Sequence, residues 1–180
     1  MRRPAGRKLA GAAKSAGVGS FRAPRHTIEG MPPNDCFSCV NNARDDLPRR
    51  EQVHLTPCWR VAHALGTSVP GWLVVVSCRH LTSLDELTAA EAAELGPLLR
   101  DLTAALRDVV GCEKTYVALF AEAEGFQHVH FHVIPRAAGA GPEILGPQIF
   151  SLLAGDPAGY VSEEVMDAVA AEVARVLEAK

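Results

Sequence analysis

The 180-residue chain lacks any long hydrophobic run. No segment reaches the roughly 18 consecutive apolar residues that a membrane-spanning helix needs, and no apolar core of a secretory signal is found. The chain also lacks an excess of positive charge, since its formal net charge is -3. That charge argues against a general nucleic-acid coat but still permits a small anionic substrate in a local site. We therefore expect a cytoplasmic protein that acts neither in a membrane nor on nucleic acid.

The chain has no even set of cysteines for a disulfide framework. Its five cysteines are Cys36, Cys39, Cys58, Cys78 and Cys112. In a reducing cytosol, the Cys36-x-x-Cys39 pair is more typical of a metal or redox site than of a structural bridge. The other three cysteines stand singly in or beside apolar segments, which is typical of small core residues.

Acidic residues are missing before Glu29, and residues 1–27 are rich in Arg, Lys, Gly, Ala and Ser. Such a segment has too little apolar surface to offset the entropy of ordering. It predicts a disordered basic N-terminal arm, followed by a single domain over residues 28–180. That remaining length is enough for one hydrophobic core.

Apolar periodicity in the rest of the chain predicts strands and helices in alternation. A helix opens at Thr88, with Glu91 completing a capping box, and ends at Gly111. A second amphipathic helix is expected over residues 162–178, and residues 137–148 have the Gly, Ala and Pro content of a loop. Strands are expected at residues 59–65, 72–77, 116–120 and 127–134. This order predicts an α+β fold with an antiparallel sheet.

Three histidines crowd into five residues, as His128, His130 and His132 alternate with Val129 and Phe131. In a strand this spacing places the three imidazoles on one face. They could bind a metal together, or they could be hydrogen-bonded histidines of the core. They could also serve nucleophilic catalysis, with a neutral His130 attacking phosphorus and His132 donating a hydrogen bond to a phosphate oxygen.

Cys36 and Cys39 have the spacing of half a tetrahedral zinc site. His80, at the end of an apolar strand, and His128 could supply the other two ligands of a closed structural site. The alternative is a free dithiol with His80 as a surface turn residue.

The segment His128 to Ile134 matches the signature His-φ-His-φ-His-φ-φ, where φ is apolar, and Pro135-Arg136 extends the match. In this segment, and in the strand over residues 72–77 that precedes His80, the chain resembles the histidine triad (HIT) superfamily. The resemblance covers about residues 34–136.

The resemblance implies a HIT-like five-stranded antiparallel sheet with a long helix and a C-terminal helix, usually in a homodimer. It implies a nucleotidyl hydrolase or transferase that acts on a dinucleoside polyphosphate or a nucleoside phosphoramidate. His130 would be the nucleophile, cleaving at the α-phosphate through a nucleotidyl-histidine, and His132 would contact phosphate. It also implies a structural zinc, as in one branch of the superfamily, whose ligands here would be Cys36, Cys39, His80 and His128.

The chain departs from the family pattern in three places, near Trp72, near His63-Ala64 and at Glu124-Gly125-Phe126. The implied substrate-binding residues are Trp72, Glu124, Gly125 and Phe126. Because these departures alter the nucleotide contacts but keep the nucleophile, the sequence also allows a catalytically weak nucleotide-binding or scaffold protein with the same fold.

Overall fold

The computed structural model describes residues 36–180, which form a sheet with two long helices packed on one face. The α-helices of these residues are α1 (Phe37–Asn42), α2 (Ala89–Val110) and α3 (Glu163–Glu178). The strands are β1 (His54–Leu55), β2 (Trp59–His63), β3 (Leu73–Ser77), β4 (Lys114–Ala118) and β5 (His130–Arg136). Short 3-10 turns lie at Arg49–Glu51, Leu84–Glu86, Pro142–Ile144, Gly146–Leu152 and Pro157–Gly159.

The five strands form one sheet in the order β1-β2-β3-β5-β4. Every neighbouring pair is antiparallel. The expected α+β fold, with an antiparallel five-stranded sheet, a long helix and a C-terminal helix, is confirmed.

The long helix α2 begins and ends where its local sequence predicts. The Thr88 side chain accepts a hydrogen bond from the Glu91 backbone N–H, and the Glu91 carboxylate accepts one from the Thr88 N–H at 2.7 Å. Gly111 follows the helix with φ of 66°, a left-handed conformation that glycine adopts without strain. Both signals are local, so the sequence alone was sufficient to place this helix.

The two faces of the sheet carry different kinds of side chain. On one face, alternate side chains of β3 and β5 pack against α2 and α3; this core includes Val75, Phe131, Val133, Leu102 and Val173. On the other face, the register places Arg60 of β2 opposite Val76 of β3, and Val76 opposite His130 of β5. Polar and titratable side chains therefore lie together on the face that the two long helices leave open.

Several predicted boundaries are wrong by a few residues. The strand expected over 127–134 begins at His130, because the chain bends at His128, where the backbone N–H bonds to the Phe126 carbonyl at 2.8 Å. The strand expected over 116–120 instead runs from Lys114 to Ala118, in register with β5. The expected loop over 137–148 contains 3-10 turns.

The predictions for residues 1–27, and for a domain that starts at residue 28, fall outside the described residues. Within residues 36–180, no helix combines the length and apolarity that crossing a membrane requires.

Candidate active site and metal centre

The four residues proposed as zinc ligands come together at one end of the sheet. One ligand atom from each of Cys36, Cys39, His80 and His128 lies within 4.8 Å of every other. The Nδ1 atom of His128 is 3.4 Å from the Cys36 sulfur and 3.2 Å from Nδ1 of His80. The Cys39 sulfur is 3.2 Å from Nδ1 of His80 and 3.6 Å from Nδ1 of His128.

These separations fit a tetrahedral ion. Zn–S bonds of about 2.3 Å and Zn–N bonds of about 2.0–2.1 Å place neighbouring ligand atoms roughly 3.3–3.8 Å apart. Two thiolates and two neutral imidazoles would also balance a divalent charge. Burial, followed by hydrogen bonding and charge from Cys36, raises the pKa of the Cys39 thiol to about 11. Two adjacent thiolates are thus disfavoured by themselves, and a cation between them would remove that penalty.

The tautomer of His128 also suits metal binding. Its Nε2 lies 2.8 Å from the Ser77 carbonyl, which can only accept, so Nε2 carries the proton. The lone pair is therefore on Nδ1, the atom that faces the cysteines. Burial lowers the pKa of His128, which keeps the ring neutral.

Local structure holds the two cysteines in place. Cys36 is the N-cap of α1 and Cys39 lies within it, so the two side chains share one side of the helix. The Phe37 N–H bonds to the Gly125 carbonyl at 3.1 Å, and the Asn42 amide donates to the Ser77 carbonyl at 2.9 Å. Helix α1 is thereby attached to the end of β3 and to the turn that precedes the triad.

The central histidine presents one nitrogen to a cavity. His130 Nδ1 lies 2.7 Å from the His128 carbonyl and must donate to it, so the lone pair is on Nε2. His130 is half-buried and lines a cavity of about 440 Å³. An imidazole held in this tautomer beside a cavity can act as a nucleophile.

The third histidine has the opposite tautomer. The indole Nε1–H of Trp72, which can only donate, bonds to His132 Nδ1 at 3.1 Å. In the neutral ring the proton must therefore be on Nε2. Burial, and then the charge of His130, lowers the pKa of His132 to about 4, so the ring is neutral at pH 7. His132 also lines the cavity, where its Nε2–H is the ring's available donor.

Aromatic side chains surround the second and third histidines of the triad. The ring centroids of His130 and His132 are 4.9 Å apart, and Phe150 lies 5.1 Å from the His132 ring. Phe37 and Phe126 also line the cavity, and their ring centroids lie 5.2 Å apart. The cavity is thus lined by aromatic rings and by the imidazoles of His63, His130 and His132.

The predicted site residues are only partly brought together. His130, His132 and Phe126 line the cavity, whereas Glu124 and Gly125 are not among its lining residues. Glu124 is exposed, and Gly125 contributes its carbonyl to α1. Trp72 is fully buried and contacts the site from behind, through His132. His130 and His132 are not part of the metal-ligand cluster found in the described residues, so the three histidines do not form one metal site there.

Two residues with clear roles in this geometry were not predicted for those roles. Trp72 was predicted to contact substrate, but it sets the proton position on His132. Arg60 was not singled out, although it is 3% exposed and lines the cavity. The available signal was a lone arginine inside the otherwise apolar segment 59–62.

Residues 56–139 match the family model described as the HIT domain. This match confirms the resemblance to the histidine triad (HIT) superfamily. None of the curated proteins compared with the chain matches it.

Solved structures of histidine triad proteins share the fold. A Zn-bound histidine triad family protein from Mycobacterium smegmatis is 18% identical, with a TM-score of 0.61, over 83% of this chain and 100% of that one. A Hit-like protein involved in cell-cycle regulation from Bartonella henselae is 18% identical, with a TM-score of 0.60, over 82% and 99%. A histidine triad protein from Marinobacter aquaeolei is 20% identical, with a TM-score of 0.58, over 71% and 88%.

Proposed function

We propose, from the HIT domain that residues 56–139 form, that the chain is a nucleotidyl hydrolase or transferase acting on a nucleoside phosphate. Its substrate would be a dinucleoside polyphosphate or a nucleoside phosphoramidate. The observation that carries this proposal is the His130 tautomer: the bond from Nδ1 to the His128 carbonyl leaves the Nε2 lone pair for attack in the cavity.

The reaction has two displacements at the α-phosphorus. In the first, His130 Nε2 forms a bond to phosphorus while the bond to the leaving group breaks, and the leaving group takes a proton from water. In the second, water attacks phosphorus and releases a proton to the solvent, replacing the one taken in the first step, while the N–P bond breaks and its electron pair returns to Nε2. The nucleoside monophosphate is then released. Two displacements replace one more difficult step.

His132 and Trp72 support the first displacement. The Nε2–H of His132 can donate to a non-bridging oxygen as negative charge develops. Trp72 acts as a positioning residue, because its indole N–H occupies Nδ1 and keeps the proton on Nε2. The low pKa of His132, about 4, means that this donor is a neutral imidazole across the physiological range.

A structural zinc at Cys36, Cys39, His80 and His128 is part of the proposal, supported by the spacing of their ligand atoms. When bound there, zinc supplies a cross-link rather than chemistry at the substrate. It would tie α1 to the end of β3 and to the residues that lead into β5.

A second candidate function is a nucleotide-binding or scaffold protein with little turnover. It is favoured by one observation, that Ala64 and Leu65 line the cavity at the place where the sequence departs from the family pattern. Neither side chain can hydrogen-bond a sugar hydroxyl. Nucleotide binding without product release would support this alternative.

The proposal includes a homodimer in the cytoplasm, without nucleic acid or membrane as partner. Strand β4 supports the dimer, because it lies at one edge of the sheet of the described residues. Exposed Val117 and Phe120 lie in and just after it. Sedimentation equilibrium should give twice the monomer mass, and a monomeric mass would contradict the dimer.

Turnover by His130 is tested by supplying adenosine phosphoramidate and diadenosine polyphosphates and measuring nucleoside monophosphate release. We expect His130→Asn to lower kcat by at least about a thousandfold, since the nucleophile is lost. The substrate would carry a label on its nucleotidyl group. Label that remains on the wild-type protein after alkaline quenching, and that acid releases, would identify the nucleotidyl-histidine. His54→Asn is the matched control, because His54 lies in β1 and does not line the cavity. Release that persists unchanged in His130→Asn would overturn the proposal.

A further inference from the structure

Arg60 is a buried cation on the same sheet face as the triad. It is 3% exposed and lies in β2, opposite Val76, which in turn lies opposite His130. Neighbouring strands are about 4.8 Å apart, so Arg60 and His130 have backbones roughly 10 Å apart across the cavity floor. The small side chains of Val74, Val76 and Ala62 line the cavity between them.

The described protein contacts of Arg60 use only part of its guanidinium. Nε donates to the Asn42 side-chain oxygen at 2.7 Å. Nη1 donates to the Glu51 carbonyl at 2.7 Å and to Glu51 Oε2 at 3.1 Å. Among the described residues Nη2 has no hydrogen-bond partner, and an arginine held this firmly presents its remaining donors in a fixed direction.

Glu51 gives this end of the cavity an acceptor beside the donor. It is 7% exposed and lines the cavity with Arg60. Its Oε2 receives the Arg60 bond and a second one from the Asn41 amide at 3.3 Å. In the described bonds Oε1 has no partner. Because the arginine and the glutamate neutralise each other, the pair favours an uncharged polar edge over a second phosphate.

We propose that Arg60 and Glu51 determine base specificity by binding the lactam edge of guanine or hypoxanthine. The lactam carbonyl would accept from Arg60 Nη2 while the adjacent ring N–H donates to Glu51 Oε1. Adenine places its amino hydrogens where guanine has the carbonyl, so it cannot present the same acceptor to a guanidinium. The aromatic pair Phe37–Phe126 lines the same cavity and can pack on a planar base.

This inference rests on the proposed function, because the phosphate must lie at His130 for the base to reach Arg60. Equilibrium binding separates the two ideas. GMP, IMP and AMP can be titrated calorimetrically into the full chain, and no turnover is needed. We expect GMP and IMP to bind at least about tenfold more tightly than AMP, the size of discrimination that a good charge-assisted contact provides.

Arg60→Met should reduce the GMP-to-AMP affinity ratio to about one. Arg136→Met is the matched control, since Arg136 is similarly buried, pairs with Glu113 and does not line the cavity. The GMP-to-AMP affinity ratio within one preparation is insensitive to partial unfolding. A changed ratio therefore reports the contact with the base and not a loss of stability. If Arg60→Met does not fold, Glu51→Gln should still weaken GMP and IMP more than AMP.

The outcomes are distinct. A guanine preference that is lost in Arg60→Met but kept in Arg136→Met supports the inference, even if no substrate is turned over. Equal wild-type affinities, a preference for AMP, no binding of any monophosphate, or a preference that survives in Arg60→Met would each overturn it. Turnover without base preference would leave the proposed function standing alone.

Discussion

Individual hydrogen bonds give the three triad histidines different roles. His128 donates from Nε2 to a carbonyl, His130 donates from Nδ1 to a carbonyl, and His132 accepts at Nδ1 from an indole. The sequence identifies the three rings but not their protons. Ser77 and Trp72 lie 51 and 60 residues from the histidines that they contact, so no local pattern could assign the tautomers of His128 and His132.

Trp72→Phe is expected to lower kcat by about tenfold with a smaller change in KM. The phenyl ring keeps most of the packing but cannot donate to His132, whose proton is then no longer held on Nε2. Steady-state kinetics with a nucleoside phosphoramidate would measure the split between kcat and KM.

Trp59→Phe is the control for that measurement. Trp59 is also fully buried and its indole donates to the Glu91 carbonyl at 3.2 Å, but it packs in the core on the other face of the sheet. It should lose stability without the kcat effect. Equal kcat losses in the two variants would mean that Trp72 acts through packing alone.

At the scale of elements, prediction succeeded where the signals are local. Both members of the Thr88–Glu91 capping box lie within one turn, and they correctly predict the start of α2. The start of β5 was not predicted, because the alternating pattern begins at His128, whereas the chain bends there and the His128 ring contacts Ser77 and Cys36, which are distant in sequence. Likewise, spacing predicted only the Cys36–Cys39 half of a zinc site, and the resemblance implied His80 and His128 as the other two ligands. Only the fold brings the four ligand atoms within 4.8 Å of one another.

Removal of zinc should loosen α1 before the rest of the domain. A strong chelator is expected to lower the wild-type Tm by about 10 °C or more, because metal binding contributes directly to folding. Cys39→Ser should show the lower Tm without chelator and bind less than about one zinc per chain. Calorimetry and metal analysis would measure both quantities.

Cys58→Ser is the matched control, because Cys58 is a partly buried cysteine outside the ligand cluster. It should bind zinc as wild type does and respond to chelator in the same way. A wild-type Tm that is unaffected by chelator would contradict a structural zinc.

For the whole molecule, the sheet separates an apolar core from a face of titratable side chains. Burial lowers the pKa of His63, and it lowers that of His132 from the ordinary value of 6.5 to about 4. The unfolded chain therefore binds more protons than the folded one between about pH 6.5 and pH 4, and stability falls as the pH decreases through that window.

His132→Gln should flatten this dependence. Between pH 7.5 and pH 5, we expect the wild type to lose about 2 kcal/mol more of its free energy of unfolding than the variant does. Glutamine can still accept from the Trp72 indole, and both proteins carry the same metal ligands, so the difference isolates one titration. Urea denaturation at the two pH values would measure it, and parallel losses would argue against a depressed pKa.

His128 contributes to the site through both its side chain and its backbone. Its ring faces the cysteines, while its own carbonyl oxygen holds the proton of the next histidine in the triad. No mutation at position 128 can delete that oxygen. An inactive variant at position 128 would therefore indicate that its peptide group has moved. Restoring the backbone path there, without restoring the imidazole, would be enough to return the lone pair to Nε2 of His130.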